Sequence, residues 1–324
     1  MRILIIGAAG MVGRKLSERL ARDGQLGGRE ISHLDMADMV APVPPAGAGF
    51  LVSLHIADVS SPAAAPAMLA GKPDVIFHLA SIVSGEAEQN FDKGYAINLD
   101  GMRFLLEAVR HVGGGYKPRL VFTSSIAVFG APFPDAIGDE FLSAPLTSYG
   151  TQKAICELLL SDYTRKGFVD GVGILLPTIC VRPGKPNLAA SGFFSNIIRE
   201  PLAGQEAVLP VSDDVRHWHA SPRAAVAFLL HAATLHADML GPRRNLSLPG
   251  LSVTVAEQIE ALRRVGGEKA VRLIRREPNP AIAKIVAGWP RNFDARRAIG
   301  LGFEAEGSFD EIIRVHVEDE GVVV

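Results

Sequence analysis

The chain opens on an apolar run that leads directly into a turn rich in glycine. Residues 3–6 are all aliphatic, glycines follow at positions 7, 10 and 13, and from Met11 the apolar positions recur with helical spacing. This pattern predicts a strand buried on both faces, a tight turn and a helix. The helix would begin with bare backbone N–H groups, which suit a pyrophosphate. The predicted dinucleotide contacts in this turn are Gly7, Gly10, Met11, Val12 and Gly13.

Apolar runs and helical patterns continue to alternate through the first half of the chain. Predicted strands cover residues 31–35, 50–56, 74–80, 120–125 and 171–181, and predicted helices cover 61–69, 92–112 and 149–165. Repeated strand–helix units imply right-handed crossovers and an open parallel sheet with helices on both faces. The predicted fold class is α/β, a Rossmann-type doubly wound parallel sheet with a smaller, interleaved C-terminal substrate domain.

The second half of the chain loses this rhythm. Residues 183–191 are rich in Pro, Gly, Asn and Ala and predict a loop. Shorter elements follow, with helices predicted at 193–204, 222–235, 254–265 and 309–315 and strands at 205–211, 246–248 and 272–274. The predicted domains are a dinucleotide-binding domain over 1–184, to which 212–245 returns, and a substrate domain over 185–211 and 246–324.

Composition narrows the classes of partner. The 324 residues carry a net charge of -2, which favours neither nucleic acid nor an anionic membrane. No apolar stretch approaches the roughly 18 residues of a spanning helix, and the N-terminal run is too short for a signal peptide. Cys156 and Cys180 have no CxxC spacing, so they predict buried, reduced thiols in a cytoplasmic protein, and no metal site.

Acidic residues at the ends of predicted strands suit the adenosine half of a dinucleotide. Asp35 ends the second predicted strand, about twenty residues beyond the turn, where a carboxylate accepts the ribose hydroxyls and favours NAD over NADP. Asp58 follows the third strand and could meet the adenine amino group, with backbone contacts from Val59, although a loop-capping role stays open. The end of the fourth strand supplies further predicted cofactor contacts at Leu79, Ala80 and Ser81.

Three residues predict alcohol oxidation. Tyr149 and Lys153 are four residues apart and therefore share one face of a helix. A phenol has a pKa of about 10. A neighbouring ammonium together with a nicotinamide cation favours the phenolate. Ser125 ends a parallel strand, at the sheet edge where ligands bind. We expect Ser125 to orient the substrate oxygen while Tyr149 acts as general base.

These motifs resemble those of the extended short-chain dehydrogenases/reductases, in the NAD-dependent epimerase/dehydratase superfamily. The matching stretches span about the first 185 residues: Gly7 to Gly13, Asp58-Val59, His78 to Ser81, Asn98, Phe122 to Gly130 and Ser148 to Lys153. The resemblance implies NAD as cofactor, Ser125, Tyr149 and Lys153 as catalytic trio, and a homodimer. It further implies cofactor contacts from Tyr149, Lys153, Pro177 and Thr178, and it implies that Asn98 contacts or positions the cofactor side.

The substrate half departs from the members that act on sugar nucleotides. Dehydratases carry an Asp-Glu pair just after the catalytic serine, and this chain has Ile126-Ala127 there, which argues against 4,6-dehydration. Residues 176–201 resemble the D-erythronate dehydrogenase subgroup. That resemblance implies NAD-dependent oxidation of the C2 hydroxyl of a small sugar acid, D-erythronate, to 2-dehydro-D-erythronate.

A sugar acid needs a cation for its carboxylate and a tight polar pocket. The candidate substrate contacts are Ser125, Tyr149, the cations Arg182, Lys185 and Arg216, the hydroxyl donors Thr178 and Ser191, and Phe193 as a wall. Arg216 could equally form a structural ion pair, and residues 217–219 are expected to pack between the domains. Three alternatives stay open: a nucleotide-sugar 4-epimerase or reductase, an L-threonine dehydrogenase-like enzyme, and a non-catalytic NAD(H)-sensing regulator.

Overall fold

The structure is a computed structural model that describes residues 1–184 and 191–323. Its contacts divide the chain into two compact units. The first comprises Met1–Val128, Thr147–Leu175 and Val226–Leu246, and the second comprises Phe129–Leu146, Leu176–Ala225 and Ser247–Val324. The division differs from the predicted boundaries, because residues 129–146, 176–184 and 212–225 fall in the second unit.

A seven-stranded sheet, counted over the described residues, forms the centre of the first unit. Numbered in chain order over the whole molecule, its strands are β1 Arg2–Ile6, β4 His33–Asp38, β5 Leu51–Ile56, β6 Val75–His78, β7 Arg119–Ser125, β8 Asp170–Leu176 and β12 Asn245–Ser247. Their spatial order is β12-β8-β7-β6-β1-β4-β5. Strand β1 pairs in parallel with β4 and β6, and the pairs β4–β5 and β6–β7 are also parallel. The predicted Rossmann-type sheet is confirmed.

The strand order reverses direction at β1, and this reversal predicts where on the sheet a ligand binds. Strands β4 and β5 lie on one side of β1, whereas β6 and β7 lie on the other. In open parallel sheets, ligands bind outside the carboxyl ends of the strands at such a switch point. The residues that directly follow β1 and β6 therefore lie at the predicted binding edge.

Helices and a small hairpin complete the first unit. The helices are α1 Met11–Asp23, α2 Ala64–Met68, α3 Ser84–Gln89, α4 Phe91–Gly94, α5 Gly101–Val112, α6 Ser148–Arg165, most of α8 Pro222–Thr234, and α9 Ala237–Leu240, and the hairpin pairs β2 Gln25–Leu26 with β3 Arg29–Glu30. Apolar side chains of α5 and α6 form one buried cluster with β1, β6 and β7, including Leu4, Ile76 and Leu106. Burial of this cluster fixes the strand ends relative to the two helices.

The second unit has its own core and smaller sheets. Its strands are β9 Thr178–Ile179, β10 Ala207–Leu209, β11 Arg216–Ala220, β13 Leu251–Thr254 and β14 Ile274–Arg276, and its helices are α7 Gly192–Leu202, α10 Val255–Val271, α11 Pro280–Ala287, α12 Arg296–Gly300 and α13 Phe309–Glu320. Strand β11 pairs in parallel with β9 and antiparallel to β13. Aromatic and aliphatic side chains of α7, α10 and α13 form its core.

Two elements that were predicted to be continuous are divided into shorter elements in the structure. The predicted strand over 171–181 ends at Leu176, and Thr178–Ile179 pairs in a different sheet, because Pro177 between them has no N–H to donate. The predicted helix over 92–112 instead consists of α4, a π-helical segment over Tyr95–Asp100, and α5. The widened π segment carries Asn98.

Candidate active site

The glycine turn leaves no room for side chains at two positions. Gly7 has φ +94°, and a Cβ there would stand 2.6 Å from the backbone nitrogen of Ala80. A Cβ on Gly13 would stand 2.3 Å from the Gly7 carbonyl oxygen, so helix α1 packs directly on the turn. Over the described residues, no side chain caps α1, whose N-cap is Gly10. The uncapped N–H groups and the open backbone fit the pyrophosphate of a dinucleotide.

The prediction that Asp35 ends its strand was wrong. Strand β4 continues to Asp38, so Asp35 lies in the middle of the strand, where its side chain is buried and 1% exposed. Arg2 donates to both carboxylate oxygens of Asp35, at 2.6 and 2.9 Å, and His55 lies 2.9 Å away. Burial opposes ionisation, but these hydrogen bonds prevail and hold the pKa of Asp35 below its usual value. A buried, ion-paired carboxylate of this kind does not suit the ribose role predicted for Asp35.

Asp38 occupies the position that had been expected of Asp35. The residue before it, Ala37, pairs with Ile6 at the end of β1 and accepts hydrogen bonds from the Gly7 and Ala8 amides. The Ala9 amide donates to Asp38 Oδ2 at 2.9 Å, so the carboxylate is attached to the glycine turn itself. Met36 and Ala37 after Asp35 are compatible with a strand that continues to Asp38, but the apolar pattern alone does not choose between the two ends.

The end of β6 lies beside this turn, and Asp58 follows the end of β5. The Leu79 and Ala80 amides donate to the Ile6 carbonyl at 2.8 and 3.0 Å, which joins the end of β6 to the end of β1. Asp58 follows β5, where its Oδ1 accepts from the Ser60 amide and hydroxyl. Asp58 therefore has the loop-capping role left open above, and its adenine contact, like that of Val59, stays a prediction.

Asn98 connects the cofactor side to the catalytic helix. Its Oδ1 accepts from the Ser81 hydroxyl and the Ile82 amide, both at 2.9 Å, and its Nδ2 donates to Gln152 Oε1 at 2.8 Å. Gln152 precedes Lys153 on α6, and both are buried. Asn98 thus holds the segment after β6 against α6, a positioning role consistent with the one the resemblance implied. Gln152 was missed because nothing in the local sequence marks it.

The predicted trio lies on two elements of the first unit. Ser125 is the last residue of β7, and Tyr149 lies in the first turn of α6, whose N-cap Thr147 accepts from the Gly150 amide. Lys153 follows one turn later, 2% exposed, and its Nζ donates to the Thr123 carbonyl at 2.8 Å. That Nζ lies 5.6 Å from the centroid of the Tyr149 ring. The ammonium is therefore anchored to β7 beside the phenol that it is expected to activate.

A buried carboxyl next to the trio was not predicted. Glu157, one turn beyond Lys153 on α6, is 7% exposed and accepts a hydrogen bond from the Ser124 hydroxyl. Burial raises the pKa of Glu157 to about 7, against the opposing effects of that hydrogen bond and of the Lys153 charge. Glu157 thereby holds the residue that precedes Ser125 in the strand.

The second unit fixes Arg182 through its own residues. Arg182 Nε donates to the Ile179 carbonyl at 2.9 Å, and Nη2 donates to the Ser191 hydroxyl at 2.8 Å. The Arg182 amide donates to Ser195 Oγ at 3.1 Å. The structure therefore brings the candidates Arg182 and Ser191 into one cluster, with the guanidinium held in a defined orientation.

The other substrate candidates have structural partners. Arg216 donates to the Ser252 carbonyl at 2.7 Å and lies 3.2 Å from Glu257 Oε2, which is the ion-pair role left open above. Phe193 is 5% exposed in the core of the second unit, and its ring lies 4.1 Å from that of Phe194 between centroids. Pro177 is buried, and Lys185 lies outside the described residues. Substrate contacts from Arg216 and Phe193 stay predictions.

The stretch 216–219 forms part of β11, and its rings pack within the second unit. His217, Trp218 and His219 are 2%, 7% and 0% exposed. The His217 ring stacks on Phe194 with 5.3 Å between centroids and 5° between planes, and Trp218 Nε1 donates to the Leu248 carbonyl at 3.2 Å. Thr178, on the neighbouring strand β9, has its Oγ1 2.7 Å from His217 Nε2.

Cys156 and Cys180 are both buried with free thiols. Burial raises the pKa of each thiol to about 12, so both stay protonated at neutral pH. Among residues 1–184 and 191–323, no group of three or more His, Cys, Asp or Glu side chains is placed to hold a metal ion. No helix in the described part of the chain combines the length and apolar character needed to cross a membrane.

Comparisons with known proteins identify an NAD-dependent family and two similar dehydrogenases. The sequence model of the NAD dependent epimerase/dehydratase family matches residues 3–238. D-erythronate dehydrogenase from Cupriavidus necator is 47% identical over 326 residues, covering 99% of both chains. D-erythronate dehydrogenase from Haemophilus influenzae is 41% identical over 318 residues, covering 98% of this chain and 99% of that one.

A solved structure is closer in sequence and carries a different description. The crystal structure described as the nucleoside-diphosphate-sugar epimerase from Agrobacterium tumefaciens is 65% identical to this chain. It superposes with a TM-score of 0.97 and covers 100% of this chain and 95% of that one. Dehydrogenases and an epimerase therefore stand among the similar proteins.

Proposed function

The chain belongs to the NAD-dependent epimerase/dehydratase family, and from this premise we propose that it is an NAD-dependent dehydrogenase of a small sugar acid. The substrate that we propose is D-erythronate, oxidised at C2 to 2-dehydro-D-erythronate. The observation that carries the proposal is the anchored Tyr149–Lys153 pair beside the strand end of Ser125, in a chain 47% and 41% identical to two D-erythronate dehydrogenases.

The proposed chemistry uses three side chains of the first unit. Tyr149 takes the proton of the C2 hydroxyl, and the buried Lys153 ammonium favours the phenolate that does so. The Ala127 amide donates to Ser125 Oγ at 3.2 Å, a contact that uses a lone pair of the hydroxyl and not its proton. Ser125 can therefore donate to the substrate oxygen and hold it near the phenol. NAD, when bound, supplies the acceptor for the hydride that leaves C2.

The cofactor contacts in the proposal follow the carboxyl ends of β1, β4 and β6. The turn from Gly7 to Gly13 would receive the pyrophosphate at the N-terminus of α1. We propose that Asp38, in place of Asp35, accepts the ribose hydroxyls, because it is attached to that turn through the Ala9 amide. A carboxylate at this position also repels a 2′-phosphate, which favours NAD over NADP.

The proposed carboxylate contact is Arg182. Its guanidinium keeps a defined direction through the Ile179 carbonyl and the Ser191 hydroxyl. An arginine held in a defined orientation loses little side-chain freedom when it forms a charge-assisted, bidentate contact with a carboxylate. Arg216 is the weaker candidate, since its positive charge is already paired with the Glu257 carboxylate at 3.2 Å.

One assay tests the proposal directly. Purified protein is supplied with NAD and a panel of D- and L-aldonates of four to six carbons, together with L-threonine and UDP-sugars, and NADH is followed at 340 nm, its absorption maximum. We expect D-erythronate to give the highest kcat/KM. The Tyr149→Phe variant should lose about 100-fold or more in kcat, as for loss of a general base, while it still binds NAD. NADH from UDP-sugars alone, or full turnover by Tyr149→Phe, would refute the proposal.

A nucleotide-sugar epimerase is the second candidate, favoured by the description of the 65% identical structure. An epimerase returns the hydride to its substrate, so it gives no net NADH and retains its cofactor between turnovers. Interconversion of UDP-sugars without NADH release, by protein that is purified with NAD bound, would establish this alternative.

We further propose that the protein is a cytoplasmic homodimer. The proposal is supported by two long helices, α5 and α6, and by Leu158, which is 72% exposed on α6. Leu158 would be covered if α6 packs against a second subunit in the proposed dimer. Sedimentation equilibrium of the wild type and of Leu158→Glu tests the dimer, which the substitution should weaken, and a monomeric wild type would refute it.

A further inference from the structure

The orientation of one hydrogen-bond chain in the second unit follows from its geometry. His217 lies between two oxygen atoms: its Nδ1 is 2.8 Å from the Pro290 carbonyl oxygen, and its Nε2 is 2.7 Å from Thr178 Oγ1. A carbonyl oxygen can only accept, so His217 Nδ1 must carry a proton. The direction of the second hydrogen bond then depends on whether His217 is neutral.

The surroundings of His217 favour its neutral form. The ring is 2% exposed and contacts the rings of Phe194, His219 and Trp289, each 5.3 Å away between centroids. Burial lowers the pKa of His217 to about 4, and the positive charge of Arg182 acts in the same direction, whereas the Pro290 hydrogen bond opposes both. At neutral pH the ring therefore carries one proton, on Nδ1, and Nε2 presents a lone pair to Thr178.

The hydroxyl proton of Thr178 is consequently committed to His217. A threonine hydroxyl has one proton and two acceptor lone pairs. With its proton on the His217 side, the half-buried Thr178 can only accept a hydrogen bond from a ligand. This corrects the expectation that Thr178 donates to the substrate.

We propose that Thr178 is a specificity-determining residue that recognises a substrate hydroxyl as a hydrogen-bond donor, and that His217 is the positioning residue that imposes this polarity. The inference rests on the proposed function, because it takes Thr178 to contact the sugar acid. A carboxylate at neutral pH can only accept, so Thr178 disfavours the carboxylate end of the substrate and favours the hydroxyl-bearing end. Because Thr178 can only accept, it determines which end of a short polyol acid, the carboxylate or the hydroxyl-bearing end, lies next to it.

Paired substrate analogues and Thr178 variants test the polarity. The substrates are D-erythronate and its 3-deoxy-3-fluoro and 4-deoxy-4-fluoro analogues, in which fluorine cannot donate a hydrogen bond. For the wild type, we expect one analogue to lose about 10- to 100-fold in kcat/KM, the range for one lost hydrogen bond to a buried polar partner. Thr178→Val should show a similar loss with D-erythronate and no further loss with that analogue, while Thr178→Ser should stay close to the wild type.

The control is Thr234→Val, which removes an exposed hydroxyl on α8. It should leave unchanged the ratio of kcat/KM for D-erythronate to kcat/KM for each fluoro analogue. Equal losses for Thr178→Val on D-erythronate and on both fluoro analogues would overturn the inference, as would no loss at all. If the wild type oxidises no aldonate, the proposed function itself fails, and the inference fails with it.

The tautomer of His217 can be measured without turnover. Long-range ¹H–¹⁵N correlation spectra of the whole chain, with the His217 signals assigned by their absence in His217→Gln, report the protonation of each ring nitrogen. We expect a protonated Nδ1 and an unprotonated Nε2 at pH 7, and a shift of the Nε2 signal in Thr178→Val as its donor is removed. A protonated Nε2 would overturn the inference whatever the kinetic result.

Discussion

Replacing Glu157 with glutamine should change how stability depends on pH. Glu157 is 7% exposed, and burial raises the pKa of its carboxyl to about 7, compared with 4.5 for an unperturbed carboxyl. Glutamine keeps an oxygen that can accept from the Ser124 hydroxyl, and it has nothing to ionise. The substitution therefore isolates the cost of ionising a carboxyl in this buried position.

The sign and size of the effect follow from linkage. A folded-state pKa above the unfolded value gives stability that is fully present below pH 4.5 and is lost as the pH rises through about 7. At 1.36 kcal/mol for each pKa unit, ionising Glu157 costs the wild type about 3 kcal/mol in all. Integrating the same linkage, about 2 kcal/mol of this loss falls between pH 5.5 and pH 8.

Urea unfolding followed by far-UV circular dichroism measures this difference. Wild type and Glu157→Gln are compared at pH 5.5, 7 and 8, so that titrations common to both proteins cancel. The free energy of unfolding of the variant, relative to wild type, should rise by about 2 kcal/mol from pH 5.5 to pH 8. Glu18→Gln, at an exposed position on α1, serves as control and should follow the wild type. A constant difference between wild type and Glu157→Gln across this range would refute the reasoning.

Four further substitutions test the cofactor and catalytic assignments. Asp38→Asn should weaken NAD binding about tenfold in calorimetric titration, as expected for the loss of a charged hydrogen bond, and reduce the preference over NADP. Asp35→Asn should leave that affinity unchanged and lower the urea midpoint, since it breaks the buried pair with Arg2; the reverse pattern would restore the assignment to Asp35. Gly13→Ala should abolish measurable NAD binding, because its Cβ would stand 2.3 Å from a carbonyl oxygen, and retained affinity would contradict the close packing. Lys153→Met should lower kcat about 100-fold, because it removes the ammonium that the Thr123 carbonyl anchors beside Tyr149, and an unchanged kcat would contradict the catalytic role of Lys153.

The candidate residues of the first unit could be placed on their strands and helices from sequence, because their positions follow from local geometry. Four residues on a helix bring Tyr149 and Lys153 to one face, and a strand end places Ser125 at the edge of the sheet. The turn from Gly7 to Gly13 lies between two adjacent elements. Such relations need only the periods of helix and strand, which the apolar pattern displays.

Asp35 shows where local reasoning stops. Asp35 interrupts the apolar residues 34–37, and Asp38 directly follows them. The apolar pattern alone does not decide which of these two carboxylates ends the strand. The decision depends on register, since Ile6 pairs with Ala37 and thereby puts Asp38 beside the glycine turn. Register arises from the packing of the whole sheet, and Asp35 is held inside by Arg2 and His55.

The second unit resisted prediction because its important contacts join distant parts of the chain. His217 forms a hydrogen bond with the carbonyl of Pro290, which lies 73 residues further along the chain. His219 forms one with the side chain of Gln258, which lies 39 residues further along. The sequence predicts that residues 217–219 pack against other parts of the chain, but the protonation of His217 depends on partners that no local pattern identifies. If the polarity of Thr178 is set by His217, then substrate choice in this chain depends on a residue that need not touch the substrate.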